Sequence, residues 1–184
     1  LKFATSSKKQ NLKDFFEEYT RLVNTFIELY WNAHSLPQKA NSVIYTQIAS
    51  WMMGKARKCA VNQAMRIIKS TRKKDRQKTY KAYQRAYAKA KKHNRDIQGI
   101  LSSKWSQWSK GRYFRHRVNM PRFSGRTIDL NSDLVTMRDS DKAVSFDVWL
   151  RLGSIFGNKS SLILPVKHHK RSRKFEKNGW EQRQ

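Results

Sequence analysis

The residues predict an α+β fold, a small antiparallel β-barrel with an α-helical bundle inserted into it. Three observations carry this expectation. Apolar residues recur at helical spacing through the first hundred or so positions. The pattern switches to short runs of period two after Lys110-Gly111, and one alternating run stands alone before the first helix. Residues 1–6 are thus expected to supply the first strand of the β domain, 7–112 the helical domain, and 113–184 the remainder of the β domain.

Leu1-Lys2-Phe3-Ala4-Thr5 alternates apolar and polar as a strand does, and Ser7 followed by Gln10 has the spacing of a capping box. A helix is expected to follow at once. Its stripe is wide, with Leu12, Phe15, Phe16, Tyr19, Leu22, Val23, Phe26, Ile27, Tyr30 and Trp31 at i, i+3, i+4 and i+7 spacing. Asp14, Glu17, Glu18 and Glu28 lie off the stripe, which makes this the least basic helix and turns it toward a core rather than toward phosphate. Leu36-Pro37 ends the pattern. Asn41 or Ser42 is placed to cap a second helix that carries Val43, Ile44, Ile48, Trp51, Met52, Cys59, Ala60, Ala64, Ile67 and Ile68 to about Lys69. A third is expected from about Lys73 to Asn94, with Tyr80, Tyr83, Tyr87 and Ala90 on one face. Gly99 marks a bend before Ile100, Leu101, Trp105 and Trp108 close the helical part. Strands are then expected over residues 126–130, 134–138, 144–152 and 162–166. Asn131-Ser132-Asp133, Asp139-Ser140-Asp141 and Gly157-Asn158-Lys159 separate them as turn signals, a spacing that suits a small barrel or curled sheet.

The chain holds 40 Lys and Arg against 13 Asp and Glu, a formal net charge of +27 on 184 residues. Charge at that density repels itself and calls for a polyanion. A hydrophobic fraction of 38%, with six Trp and nine Phe, excludes a disordered basic tail. The charge is also localised. Residues 55–122 hold 22 Lys or Arg against two acids, Asp75 and Asp96, whereas residues 125–165 hold five of each sign. Ordinary exposed helices mix signs through i, i+4 pairs, and this block lacks the acids to do so. It has the footprint of a phosphate-binding surface, with candidate contacts at Lys55, Lys58, Arg66, Lys73, Lys74, Arg76, Lys78, Arg85, Arg115, Arg117 and Arg122. A second cluster adds Lys167, His168, Lys170, Arg171 and Arg173. The tyrosines at 80, 83 and 87, like Trp105 and Trp108, admit two readings, a packed stripe or a platform for bases.

Other chemistries are poorly served. Cys59 is the only cysteine, which excludes an internal disulfide or a thiolate zinc cage and fits a reducing cytoplasm. No apolar run approaches the roughly 20 residues of a membrane span, and the first residues lack the apolar core of a signal peptide. His34, His93, His116, His168 and His169 show no ligand spacing. The acids fall in turns (Asp133, Asp139, Asp141), on the first helix, or at Asp129 and Asp147 on expected outer strand faces. A metal-dependent nuclease needs convergent carboxylates, so neither a catalytic residue nor a cofactor is assigned to these residues. A start at Leu1 and a stop shortly after Gly179-Trp180 point to a piece of something longer.

The order of features resembles a family. Leu1-Lys2-Phe3-Ala4-Thr5-Ser6-Ser7-Lys8-Lys9-Gln10, the stripe from Tyr19 to Trp31, Pro121-Arg122-Phe123, Ile128-Asp129-Leu130-Asn131, Phe146-Asp147-Val148-Trp149-Leu150 and Leu164-Pro165 follow one another as in the N-terminal half of TnpB (OrfB). TnpB is the insertion-sequence RNA-guided nuclease whose descendants include the compact type V CRISPR effectors. The resemblance implies a wedge domain of β-barrel type with a helical recognition domain inserted. Together these would hold a guide RNA and the guide–target heteroduplex by their backbones and help read a short motif beside the double-stranded DNA target. It places Gln47 on the helix that reaches that motif, where a Gln can bridge adenine, while Val43 departs from the basic residue expected one turn earlier. Thr127 and Asn131 fall on a strand that approaches the same duplex. The family's RuvC-like nuclease and its divalent metal, magnesium, would follow outside these residues, in a prokaryotic cytoplasm and at the nucleoid when DNA is bound. Two alternatives stay open, a nuclease-dead RNA-guided repressor and a basic structural binder of ribosomal or nucleoid type.

Overall fold

The computed structural model of the chain describes residues 2–33, 35–93, 95, 99, 119–140, 145–153, 155–156 and 161–167. Its elements are α1 (Ser6–Trp31), α2 (Ser42–Tyr45), α3 (Gly54–Lys92), β1 (Val135–Asp139), β2 (Val148–Leu152) and β3 (Leu162–Val166). The fold is mixed helix and sheet, an α+β arrangement in that coarse sense. Residues group into two compact units, one of Leu1–Leu22, Ala40–Ala60 and Ser124–Gln184, the other of Val23–Lys39 and Val61–Phe123. The division crosses α1 and α3, so each long helix supplies residues to both.

Among the described residues the sheet of the first unit is open, with three antiparallel strands in the order β1-β2-β3, and not the expected closed barrel. Two expected strands fail to form among the described residues, for identifiable reasons. Residues 2–5 make a turn that buries Ala4 and sets Phe3 against Phe146, with ring centroids 6.1 Å apart. Residues 126–131 run irregularly, and the Asp129 carbonyl accepts from the Tyr19 hydroxyl at 2.9 Å. Gly125, just before them, turns the chain at φ 73°, with Thr20 packed where a Cβ would stand. The other strands lie close to their expected places. β1 opens on a turn in which Leu134 N donates to Asn131 O at 2.9 Å, β2 keeps only the end of its expected span, and β3 matches residues 162–166.

Helix α1 follows its stripe. Leu12, Phe15, Tyr19, Leu22, Val23, Phe26 and Ile27 are buried, while Phe16 and Leu29 are exposed. Its cap falls two residues before the expected Ser7. Thr5 precedes the helix, its Oγ1 accepts from Lys8 N at 3.4 Å, and its carbonyl accepts from Lys9 N at 3.0 Å. In place of the expected second and third helices stand a single turn, α2, and one continuous helix of 39 residues, α3. Asn41 is the cap of α2, with Oδ1 accepting from Ile44 N at 3.0 Å. The chain then leaves helical geometry over residues 46–53 because side chains capture its backbone. Arg57 takes the Ile48 carbonyl at 2.6 Å, Arg21 takes the Ala49 carbonyl at 2.8 Å, and Met52 forms a bridge with Phe156. No break occurs near Lys69. No Gly or Pro follows Gly54 in α3, and Thr71 bonds back to the Ile67 carbonyl at 2.9 Å without interrupting it.

Candidate nucleic-acid interface

Within its 39 residues, α3 carries 15 Lys or Arg and one acid, Asp75, which is itself buried. Spacing sorts the cations of its second-unit portion into faces. Val61, Ala64, Met65, Ile68, Asp75, Thr79 and Ala90 form the buried side. Arg66, Lys69, Lys73 and Arg76 recur three or four apart along one exposed stripe, and Lys74, Lys78, Lys81, Arg85 and Lys89 along another. Lys73, Lys74, Lys78 and Arg85 are exposed and make no ion pair among the described residues. Like charges at i, i+4 cost a helix a few tenths of a kcal/mol each. The stripes therefore persist against their own repulsion, and a polyanion would relieve it.

Arg72, on the same helix, has a different task. It falls toward the buried side, and its Nη2 donates to the carbonyls of Trp31 and Ala33 at 2.8 Å and of Tyr30 at 3.3 Å. These carbonyls lie at and just past the C-terminal end of α1, where intrahelical partners run out, and the Tyr30 carbonyl also accepts from Ala33 N at 3.2 Å. Partial burial, and then the nearby Arg76, push the Arg72 pKa below its usual value. It remains a cation, but one spent on the backbone.

The remaining candidate residues divide into three groups. Some are exposed but stand elsewhere than expected. Gln47 lies in the bend after α2, one residue past the Thr46 cap, and not on a continuing helix. Thr127 and Asn131 lie on irregular chain and not on a strand, and Asn131 begins the turn into β1. A second group sits where the sequence placed it. Lys58 is exposed on α3, Lys167 follows β3, and Lys55 pairs with Asp133 at 3.3 Å with both side chains well exposed, a contact of little energetic weight. Arg122 is exposed beside Phe123, whose main chain is clamped by Asn24. The Asn24 amide donates to Phe123 O at 3.1 Å and accepts from Phe123 N at 2.8 Å. Arg115, Arg117, His168, Lys170, Arg171 and Arg173, with Trp105 and Trp108, lie outside the described residues.

The tyrosines of α3 stack along the helix, Tyr80 on Tyr83 at 6.4 Å and Tyr83 on Tyr87 at 6.3 Å, with Tyr80 the most exposed of the three. In the first unit, the Glu18–Arg21 pair is structural. Glu18 is held below the usual carboxylate range, first by its hydrogen bonds from Arg21, then by the Ser50 hydroxyl at 2.6 Å. Burial raises the Cys59 thiol pKa, which disfavours its reactive thiolate. Among the described residues no three His, Cys, Asp or Glu side chains converge to hold a metal ion. No described helix is long and apolar enough to cross a membrane.

One surface escaped the sequence reading. The outer face of the sheet presents Arg138, Trp149 and Arg151 together, from strands whose region is charge-balanced by count. Only strand register brings them side by side. The geometry thus defines a basic α+β chain with two exposed cationic stripes on a long helix. Neither family models, nor curated proteins, nor solved structures match it.

Proposed function

We propose that this chain binds nucleic acid by its phosphate backbone, with α3 as the principal contact. The observation that carries the reading is the run of exposed Lys and Arg, with Lys73, Lys74, Lys78 and Arg85 in no ion pair among the described residues, on a helix whose only acid is buried. At about 1.5 Å rise per residue, its 39 residues extend roughly 58 Å, enough to follow several successive phosphates. Base identity enters little into such a contact, which suits a protein that grips shape while pairing elsewhere reads sequence. In its finer form, resting on the resemblance to TnpB, the chain is the guide-RNA and target-DNA binding part of an RNA-guided DNA endonuclease. Wedge and recognition parts lie here, and a metal-dependent nuclease domain lies outside these residues. Gln47, exposed in the bend after α2, is the residue of that reading that meets the motif beside the target.

The test is a salt titration. Lys74, Lys78 and Arg85 are replaced by Ala in one variant, and Lys69 and Lys73 in another. On duplex DNA the slope of log affinity against log salt should fall by about 0.9 for each cation that contacts phosphate. A slope unchanged in both variants would sink the assignment to α3. For the finer form, RNA that copurifies with the chain is sequenced. One discrete structured species is expected, and a heterogeneous mixture or ribosomal RNA would favour the structural binder instead.

A further inference from the structure

The outer face of the sheet gathers two arginines, a lysine and an exposed indole. Alternation along β2 sends Val148 and Leu152 into the core and leaves Trp149 and Arg151 outward. The antiparallel register sets Arg138 of β1 directly opposite Trp149, and Arg151 between Thr136 and Ile163. Directly opposed residues have Cβ atoms about 5 Å apart, and same-face neighbours along one strand are about 7 Å apart. Trp149 therefore has a guanidinium-bearing residue on each of two sides. Lys8, from the first turn of α1, completes the rim of a shallow depression of about 460 Å3 lined by Lys8, Thr136, Arg138, Trp149, Arg151 and Ile163.

Among the described residues no carboxylate lines this depression, and Lys8, Arg138 and Arg151 form no ion pair. Trp149 is 38% exposed although it sits on the central strand. Phe146 meets it edge-on, with centroids 4.5 Å apart and planes at 77°, so the indole is held without being covered as a stacked ring would cover it. A fixed, exposed indole with Arg138 and Arg151 on two sides complements a flat base with adjoining phosphates. A duplex keeps its bases stacked and paired away from such a surface, whereas a single strand offers them.

We infer that this face binds an unpaired nucleotide of a single strand, with the base stacked on Trp149 and the adjoining phosphates on Arg138, Arg151 and Lys8. The inference rests on the reading of the chain as a nucleic-acid binder and adds a single-strand site to its backbone-gripping helix. RNA and single-stranded DNA share the required chemistry.

The experiment titrates the full chain and its W149L, W149F and R138Q/R151Q variants with fluorescent oligouridine, oligothymidine and a blunt hairpin duplex. W149L should weaken single-strand binding by about tenfold, as loss of one stacked base does, and leave duplex binding unchanged. W149F keeps an aromatic surface and should restore affinity to within about threefold. The arginine pair should lower the single-strand salt slope by about 1.4, roughly 0.7 for each phosphate. The oligonucleotide that suffers the larger loss in W149L identifies RNA or DNA as the natural strand. If W149L leaves single-strand affinity unchanged while the parent still binds duplex, the site is refuted and the α3 reading stands. If the parent binds none of the three probes, both readings fall. If W149L alters sedimentation but no oligonucleotide affinity, the face packs against a second copy and the nucleotide site is overturned. Should W149L fail to fold by circular dichroism, the arginine pair decides, and an unchanged slope there refutes the site.

Discussion

Replacing Arg72 by Met separates the structural cation of α3 from the cations exposed on its stripes. Methionine keeps a flexible apolar stem of similar reach but removes the guanidinium that serves the end of α1. A hydrogen bond from a charged group contributes about 1.5–3 kcal/mol net. The contacts to Trp31 and Ala33, both 2.8 Å, carry most of this, and the 3.3 Å contact to Tyr30 adds little. The site is only part-buried, so water takes over some of what the guanidinium did, and the loss should come to about 2–3 kcal/mol. With a urea m-value of about 1–3 kcal/mol/M, the unfolding midpoint should drop by about 1 M. Lys73→Met, on the exposed stripe next door, should change stability by less than about 0.5 kcal/mol. Urea titrations followed by circular dichroism measure both, and salt titrations on duplex DNA at low temperature give the complementary reading. Arg72→Met should keep the parental salt slope. A parental midpoint together with a slope reduced by about 0.9 would mean that Arg72 contacts phosphate and not the α1 carbonyls, refuting the division of labour along the helix.

Three further outcomes follow from the same geometry. Asn24→Ala removes both bonds to the Phe123 main chain and should cost about 2 kcal/mol, seen as a lower thermal midpoint; Asn24→Asp retains only the acceptor and should fall between. Gly125→Ala meets two obstacles, a φ of 73° and a Cβ position 2.5 Å from Thr20 Oγ1, so it should destabilise by about 1–3 kcal/mol, and pairing it with Thr20→Ala should recover only the steric part. The folded-state pKa of Glu18 lies below its ordinary 4.5, so its contribution is present above that value and is lost as pH falls through the folded-state pKa. Glu18→Gln should therefore flatten the acid limb of a stability–pH profile below about pH 4.5, and an acid limb identical to the parent's would rule out the Arg21 and Ser50 contacts as its cause.

The features legible in the sequence were those carried by local periodicity or by composition. The α1 stripe, the Asn41 cap, β3 and the basic character of the region around α3 all follow from residues that lie close together in the chain. Strand pairing is not local. The alternation in residues 1–5 and 126–130 satisfies a strand pattern, yet a buried Ala4 and a Tyr19 hydroxyl on the Asp129 carbonyl leave these segments out of the sheet. The break at residues 46–53 is equally tertiary, because the groups that capture its carbonyls come from Arg21 and Arg57. Gln47 moved off a helix for that reason.

By itself, then, the amino-acid order determined how much positive charge the chain holds, which stretch concentrates it and which helical face is apolar. Those are properties of composition and of a 3.6-residue period. Tertiary structure decided which cations remain exposed on the stripes and which, like Arg72, bond to backbone carbonyls. It also decided that Arg138, Trp149 and Arg151 share one surface. The physical reason is common to both: a side chain's partner is set by what another segment brings within about 3–5 Å of it, and strand register and helix packing are fixed only when distant segments bury their apolar faces together.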